Sequence, residues 1–273
     1  MAGDGTLRLD AGDATVVIDP DRGGRLAALE IEGHPLLFSA RSMALQWGAY
    51  PMVPWAGRVA DGRFRFAGAT HQLPRNVPPH SAHGTGFVSP WRVEANDDRR
   101  VDLSLELTEP WPLGGRVVQH IELEPGQLRL ELSVEAGRSA MPAMVGWHPW
   151  FNRSLGRADG AAVEAKLRFE AESMYELDDR AIPTGRLVPP PPRPWDNCFT
   201  GVATGEADGP ALIWPDLVEL RLSSSCDHWV VYDRPGHAIC VEPQSAAPDV
   251  FNRQPAVLDP GDRLEAWFQL EWR

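Results

Sequence analysis

The sequence lacks any stretch that reads as a regular helix. No window of 11 or more residues sets its apolar side chains on a stripe of 3.6-residue period, so helix is expected to be scarce. A basic surplus is missing too. The 26 Lys and Arg stand against 38 Asp and Glu, a net charge of −12, which argues against nucleic acid as a partner and disfavours strongly anionic ligands. No run approaches the roughly 20 apolar residues of a membrane helix, so no membrane partner is expected. The opening Met1-Ala2-Gly3-Asp4-Gly5 has neither the basic start nor the apolar core of a secretory signal, which gives a cytoplasmic expectation. Cysteine is nearly absent. Cys198, Cys226 and Cys240 are odd in number, widely spaced and without Cys-x-x-Cys or zinc-ribbon spacing, so free, buried thiols in a reducing compartment are expected. Tyrosine is scarce at three residues, whereas tryptophan reaches eleven. An indole offers a flat apolar face and one N–H, which suits a sugar ring as well as a core.

What the chain does have is alternation. Val101 to Leu107 switches between apolar and polar at every step, and Arg63 to Ala67 does the same between Asp61-Gly62 and Gly68. Arg25 to Ile31 and His34 to Phe38 read as a hairpin across Glu32-Gly33, as do Arg116 to Leu123 and Gln127 to Val134 across Glu124-Pro125-Gly126. Ala162 to Phe169, Val218 to Ser223, Trp229 to Tyr232, Ala238 to Glu242 and Arg263 to Trp272 continue the style. Short turns such as Ser139 to Ala143 and Pro248 to Asn252 are expected to be helical or 3₁₀. The proline run 188–194 favours a polyproline II path and is read as an ordered surface loop, because similar strands flank it on both sides. The fold class this predicts is all-β: one large antiparallel β-sandwich over residues 1–273, with very little helix.

Three clusters stand out. Gly146-Trp147-His148-Pro149-Trp150-Phe151-Asn152 carries an imidazole to a strand end, where the proline stops ladder donation. Cys240-Val241-Glu242-Pro243-Gln244 repeats that grammar with a carboxylate, which partial desolvation would push towards the range of a useful base. Asn76 to Phe87 holds His80 and His83 in a loop of fixed bends. His83 precedes Gly84, which lets a ligand approach the backbone, so one functional histidine is expected there. Arg58, in Pro54-Trp55-Ala56-Gly57-Arg58, offers a fork of donors, and Asp196 in Trp195-Asp196-Asn197 an acceptor beside an indole. Trp55, Trp150 and Trp195 are candidates for stacking on a sugar by their chemistry alone. Each of these residues also has an ordinary reading as a solvated loop, ion-pair or core residue.

Together these motifs resemble the aldose 1-epimerase (mutarotase) family. The match runs through Arg58, His83-Gly84, the Gly146 to Asn152 motif, Asp196, Val241-Glu242-Pro243-Gln244 and Pro248-Asp249, in order over nearly the whole chain. Gly57 departs from it, standing where many members carry asparagine. The resemblance implies a galactose mutarotase-like supersandwich and an isomerase acting without a cofactor. It implies Glu242 as general base, His148 as general acid, His83 near the ring oxygen, and Arg58 and Asp196 on sugar hydroxyls. The partner is then a small-molecule aldose, with the protein a monomer or homodimer. Rival readings are a non-catalytic carbohydrate-binding sandwich, an epimerase for a phosphorylated or otherwise modified sugar, and a cupin-like metal enzyme using His80, His83, His148 and Glu242. The last lacks the His-x-His pair that would set two ligands on one strand face.

Overall fold

The computed structural model describes residues 5–40, 43–205 and 207–273. Strands dominate it, and among the described residues regular helix is confined to four 3₁₀ turns of three residues. Among the described residues no helix is long and apolar enough to cross a membrane. Two large antiparallel sheets carry the architecture.

The smaller of the two has the strands Arg92–Asn96, Arg100–Glu106, Arg116–Glu124, Gln127–Glu135, Arg263–Trp272, Val218–Ser224, Ala211–Trp214 and Lys166–Arg168, in that order across the sheet. Its alternation is the plainest in the chain. Leu128, Leu130, Leu132 and Val134 are buried while the residues between them reach towards solvent. Glu124 pairs with Gln127, so Pro125-Gly126 make a two-residue turn, and Gly126 takes the positive φ of 79° there.

The larger sheet runs Leu7–Ala11, Ala14–Asp19, Arg25–Ile31, Ala49–Met52, Gly146–Pro149, Ala238–Gln244, His228–Tyr232, Asp196–Val202, Ala171–Leu177 and Pro183–Val188. One face packs on the smaller sheet. Trp147 and Trp229 reach Phe268 of Arg263–Trp272 with ring centroids 5.9 and 6.2 Å apart. Because successive side chains alternate, His148 beside Trp147, and His228 and Val230 beside Trp229, point to the opposite face.

Several expectations are corrected. Met141–Ala143 is a strand paired with Ala256–Leu258, not a helical turn, whereas Val250–Asn252 is 3₁₀ as expected. Ala162 to Phe169 is broken into Ala162–Glu164 and Lys166–Arg168, which join different sheets. His34 to Phe38 is paired as a strand only over His34–Pro35. Glu242 does not end its strand, which continues to Gln244. The proline is accommodated because pairing with the neighbouring Gly146–Asn152 segment is interrupted from Cys240 to Pro243, with contacts at Gln244 and again at Ile239 and Ala238.

Candidate active site

The register of the larger sheet makes the site. Gly146 pairs with Gln244, and Phe151 with Ile239, so the same alignment brings His148 opposite Glu242. His148 pairs on its other side with Tyr50, and Glu242 on its other side with Val230. Two side chains nearly a hundred residues apart thereby become cross-strand neighbours. Nε2 of His148 lies 3.3 Å from Oε1 of Glu242, with the two residues 5% and 2% exposed. They floor a cavity of about 230 Å³ that also touches His83, Arg58, Asp196, Tyr232 and Gln244. This lies below the roughly 300–1,000 Å³ of drug-sized ligand pockets, so it is sized for a small molecule.

His148 is clamped. Its ring stacks on Tyr50 at 4.9 Å and on Trp150 at 5.2 Å, and His83 meets it edge-on at 5.0 Å. The Tyr50 hydroxyl donates to the Leu45 carbonyl, which fixes that side of the clamp. Behind Tyr50, the buried Arg25 donates to the carbonyls of Arg22, Ala44, Trp47 and Phe87 and sits over the Trp47 and Tyr50 rings.

Burial governs the protonation of the pair. It pushes the Glu242 carboxyl well above the ordinary carboxylate range. The charge of Asp196 adds to this, while the Gln244 amide and Arg58 oppose it. Burial also holds His148 well below the ordinary imidazole range, with His83 and Arg25 adding. Burial thus disfavours charge on either member, and it favours the carboxyl over the imidazole as the seat of a proton. His83 is pushed down to about 3 by burial and by Arg58, so its imidazole is neutral.

Loop residues bring the remaining groups in. Arg58 and Asp196 face each other at 3.5 Å, both partly exposed to the cavity. The Arg58 carbonyl accepts from the Asp249 N–H, whose carboxylate in turn accepts from the N–H of Ala60 and the side chain of Asn252. Asp249 therefore anchors the arginine segment. The proline loop is ordered as expected: Trp195 Nε1 donates to the Pro191 carbonyl, and Arg193 pairs with Asp233, which holds Asp196 at the cavity edge. Gly84 serves backbone packing rather than ligand access. Its φ is 77°, and a Cβ there would lie 1.9 Å from the Val53 carbonyl oxygen. Gly57, at φ 63°, faces Pro248, whose ring would lie 2.6 Å from a Cβ.

Of the residues singled out in the sequence, the fold unites Glu242, His148, His83, Arg58, Asp196 and Trp150 around the cavity. It does not bring Trp55 or Trp195 there. Trp55 is 1% exposed among Trp111 and Phe251, and Trp195 packs on Phe169 and Phe199. Both indoles are spent on cohesion of the core. Trp150 lines the cavity, but its nearest parallel neighbours are the imidazoles of His148 and His237, so its ring supports His148 more than it offers a face to a sugar. His80 also stays out: its ring bonds the Asp61 N–H and the Arg180 carbonyl, so the cupin-like ligand set is not assembled. Sequence reasoning missed Tyr50 and the positioning role of Asp249. For Asp249 the signal was present in the Pro248-Asp249 motif.

Two packed antiparallel sheets with a histidine–glutamate pair on the floor of a cavity define the site. The profile described as Aldose 1-epimerase matches residues 5–271, and the chain belongs to that family. It is 28% identical to the Escherichia coli K12 protein YphB, over 98% of this chain and 97% of that one. It is 30% identical to human galactose mutarotase over 49% of this chain and 40% of the other. Among solved structures, a putative aldose 1-epimerase from Escherichia coli K12 superposes with a TM-score of 0.83 at 22% identity, covering 98% of each chain. A galactose mutarotase-like protein from Clostridium acetobutylicum gives 0.83 at 18% identity, over 98% of this chain and 95% of that one.

Proposed function

We propose that this protein is an aldose 1-epimerase that interconverts the α and β anomers of a free, unmodified aldose by acid–base ring opening and reclosure. The observation that carries this is the 3.3 Å approach of His148 Nε2 to Glu242 Oε1 on the floor of the cavity. Ring opening requires the anomeric hydroxyl to lose a proton and the ring oxygen to gain one. Both oxygens are bonded to the same carbon, so the groups that serve them must be neighbours.

The carboxylate of Glu242 takes the anomeric proton while the imidazolium of His148 protonates the ring oxygen. The C1–O bond of the ring breaks as the aldehyde forms. Rotation about C1–C2 presents the other face, and the same transfers in reverse close the ring. Opening leaves a protonated carboxyl and a neutral imidazole, the distribution that burial favours. Desolvation thus offsets part of the cost of the open-chain stage. His83, neutral and edge-on to His148, hydrogen-bonds the ring oxygen or an adjacent hydroxyl. Arg58 and Asp196 bind further hydroxyls. The Arg58 guanidinium is engaged with Asp196, and Glu242 adds a second carboxyl, so neutral hydroxyls suit this cavity better than a phosphate.

Polarimetry of freshly dissolved α-glucose and α-galactose tests the proposal. Acceleration over buffer supports it, and sugar binding without acceleration supports the non-catalytic module instead. The pair also dictates a pH profile. Activity needs the pair to hold a single proton, so kcat/KM should be level between an acid and an alkaline limb. The acid limb falls below the ordinary imidazole value of 6.5, because His148 is held down, and the alkaline limb lies above the ordinary carboxylate range, because Glu242 is held up. An acid limb centred above 6.5 would mean that His148 is charged at rest and the assignment is wrong. His83→Asn should raise KM and lower kcat together, by roughly tenfold for each hydrogen bond lost at about 1.4 kcal/mol. Unchanged kinetics in that variant would remove His83 from the site.

A further inference from the structure

Cys240 has no part in the acid–base scheme, yet it stands beside it. It precedes Glu242 by two residues on one strand, and so projects to the same side of the sheet as Glu242 and His148. The thiol is fully buried, and its sulfur, a nitrogen of His148 and a Glu242 oxygen lie within 4.8 Å of one another. We infer that His148, Cys240 and Glu242 form a binding site for a thiophilic divalent cation such as Zn²⁺, and that occupation of this site switches off the acid–base pair.

Ligand type, geometry and charge each support the site. A thiolate, an imidazole and a carboxylate are the ligand types that zinc takes, and three protein ligands leave the fourth tetrahedral position open to the cavity. Hard cations such as Mg²⁺ and Ca²⁺ are disfavoured by the sulfur and nitrogen donors. Zinc–nitrogen and zinc–oxygen bonds of roughly 2.0–2.1 Å set the edge of a tetrahedron at about 3.3–3.4 Å. His148 Nε2 and Glu242 Oε1 are 3.3 Å apart, so these two ligands already have the required spacing, with the sulfur within 4.8 Å of a His148 nitrogen and a Glu242 oxygen. A thiolate and a carboxylate together neutralise a dication, with the imidazole uncharged. A buried site with no net charge avoids the desolvation cost of an isolated ion. With both His148 and Glu242 held by the metal, neither can exchange a proton with the substrate, and that stops the reaction. The inhibition rests on the proposed epimerase function; the binding does not.

The test titrates the full chain with Cd²⁺ and follows the thiolate-to-cadmium absorption band. The band should saturate at one ion per chain, vanish in Cys240→Ala and persist in Cys198→Ala. Zn²⁺ should slow mutarotation competitively with sugar in the native protein. In Cys240→Ala the zinc concentration for half-inhibition should rise at least roughly 10–100-fold, the loss that even an outer-shell change at a metal site brings. The metal-free rate of that variant should stay at the native level. Should Cys240→Ala not fold, Cys240→Ser keeps the shape without a thiolate and carries the same comparison. A native chain without the band, or a band and zinc sensitivity unchanged in the Cys240 variants, overturns the site. If the native chain gives the band but does not accelerate mutarotation, the metal site stands and the epimerase proposal falls.

Discussion

Glu242→Gln should lower the catalysed part of mutarotation by roughly 10²–10⁴-fold, the usual worth of a positioned general base. The change keeps the side chain's volume and an oxygen that can accept from Gln244 Nε2, which lies 3.4 Å from the native carboxylate. It removes only the capacity to take a proton. Its effect on stability should run the other way. Above the ordinary carboxylate value the unfolded chain is ionised at this position, while the folded chain keeps the proton because burial raises its pKa. The native protein therefore loses stability as pH rises from the ordinary value towards the raised one. Glutamine does not titrate, so the variant should melt at the same temperature or higher at neutral and alkaline pH. Polarimetry and thermal melts across pH measure both halves. Retention of more than about a tenth of the activity would mean that another group is the base.

His148→Asn should reduce the rate by a similar factor, again roughly 10²–10⁴, but here stability should fall. The imidazole fills the space between Tyr50 and Trp150, and the shorter asparagine leaves a void there. Such large-to-small changes cost on the order of 1 kcal/mol or more. Because the two side chains act as one unit, the double variant His148→Asn with Glu242→Gln should be little slower than either single one. Multiplicative losses in the double variant would show that the groups work independently and would contradict a shared proton.

How much of this was legible in the sequence depended on where each residue sits. Strands with one face on the core announced themselves: Gln127–Glu135 and Arg263–Trp272 alternate, and both were read with their boundaries close to those observed. Ala49–Met52 did not, because it lies in the middle of the larger sheet with all four residues buried, which erases the alternation. Tyr50 was missed for that reason, although it forms one wall of the His148 clamp. His148 and Glu242 were legible as motif residues, but their meeting was not. It follows from the alignment of Gly146 with Gln244, a long-range fact that no local pattern encodes. Indoles were the weakest signal. The same flat apolar face serves a sugar or a core, and the chain used Trp55 and Trp195 for the core.

The alternation of Trp147 and His148 on one short strand has a consequence for how such a chain can change over time. If that strand slid by a single position against its neighbours, the indole would swing into the cavity and the imidazole into the interior against Phe268. Insertions within the loops leave the strand alignment untouched, whereas a single-residue insertion inside the strand inverts every side chain beyond it. Length variation among descendants should therefore collect in the connections, and the paired segments around Tyr50, His148 and Glu242 should vary by substitution alone.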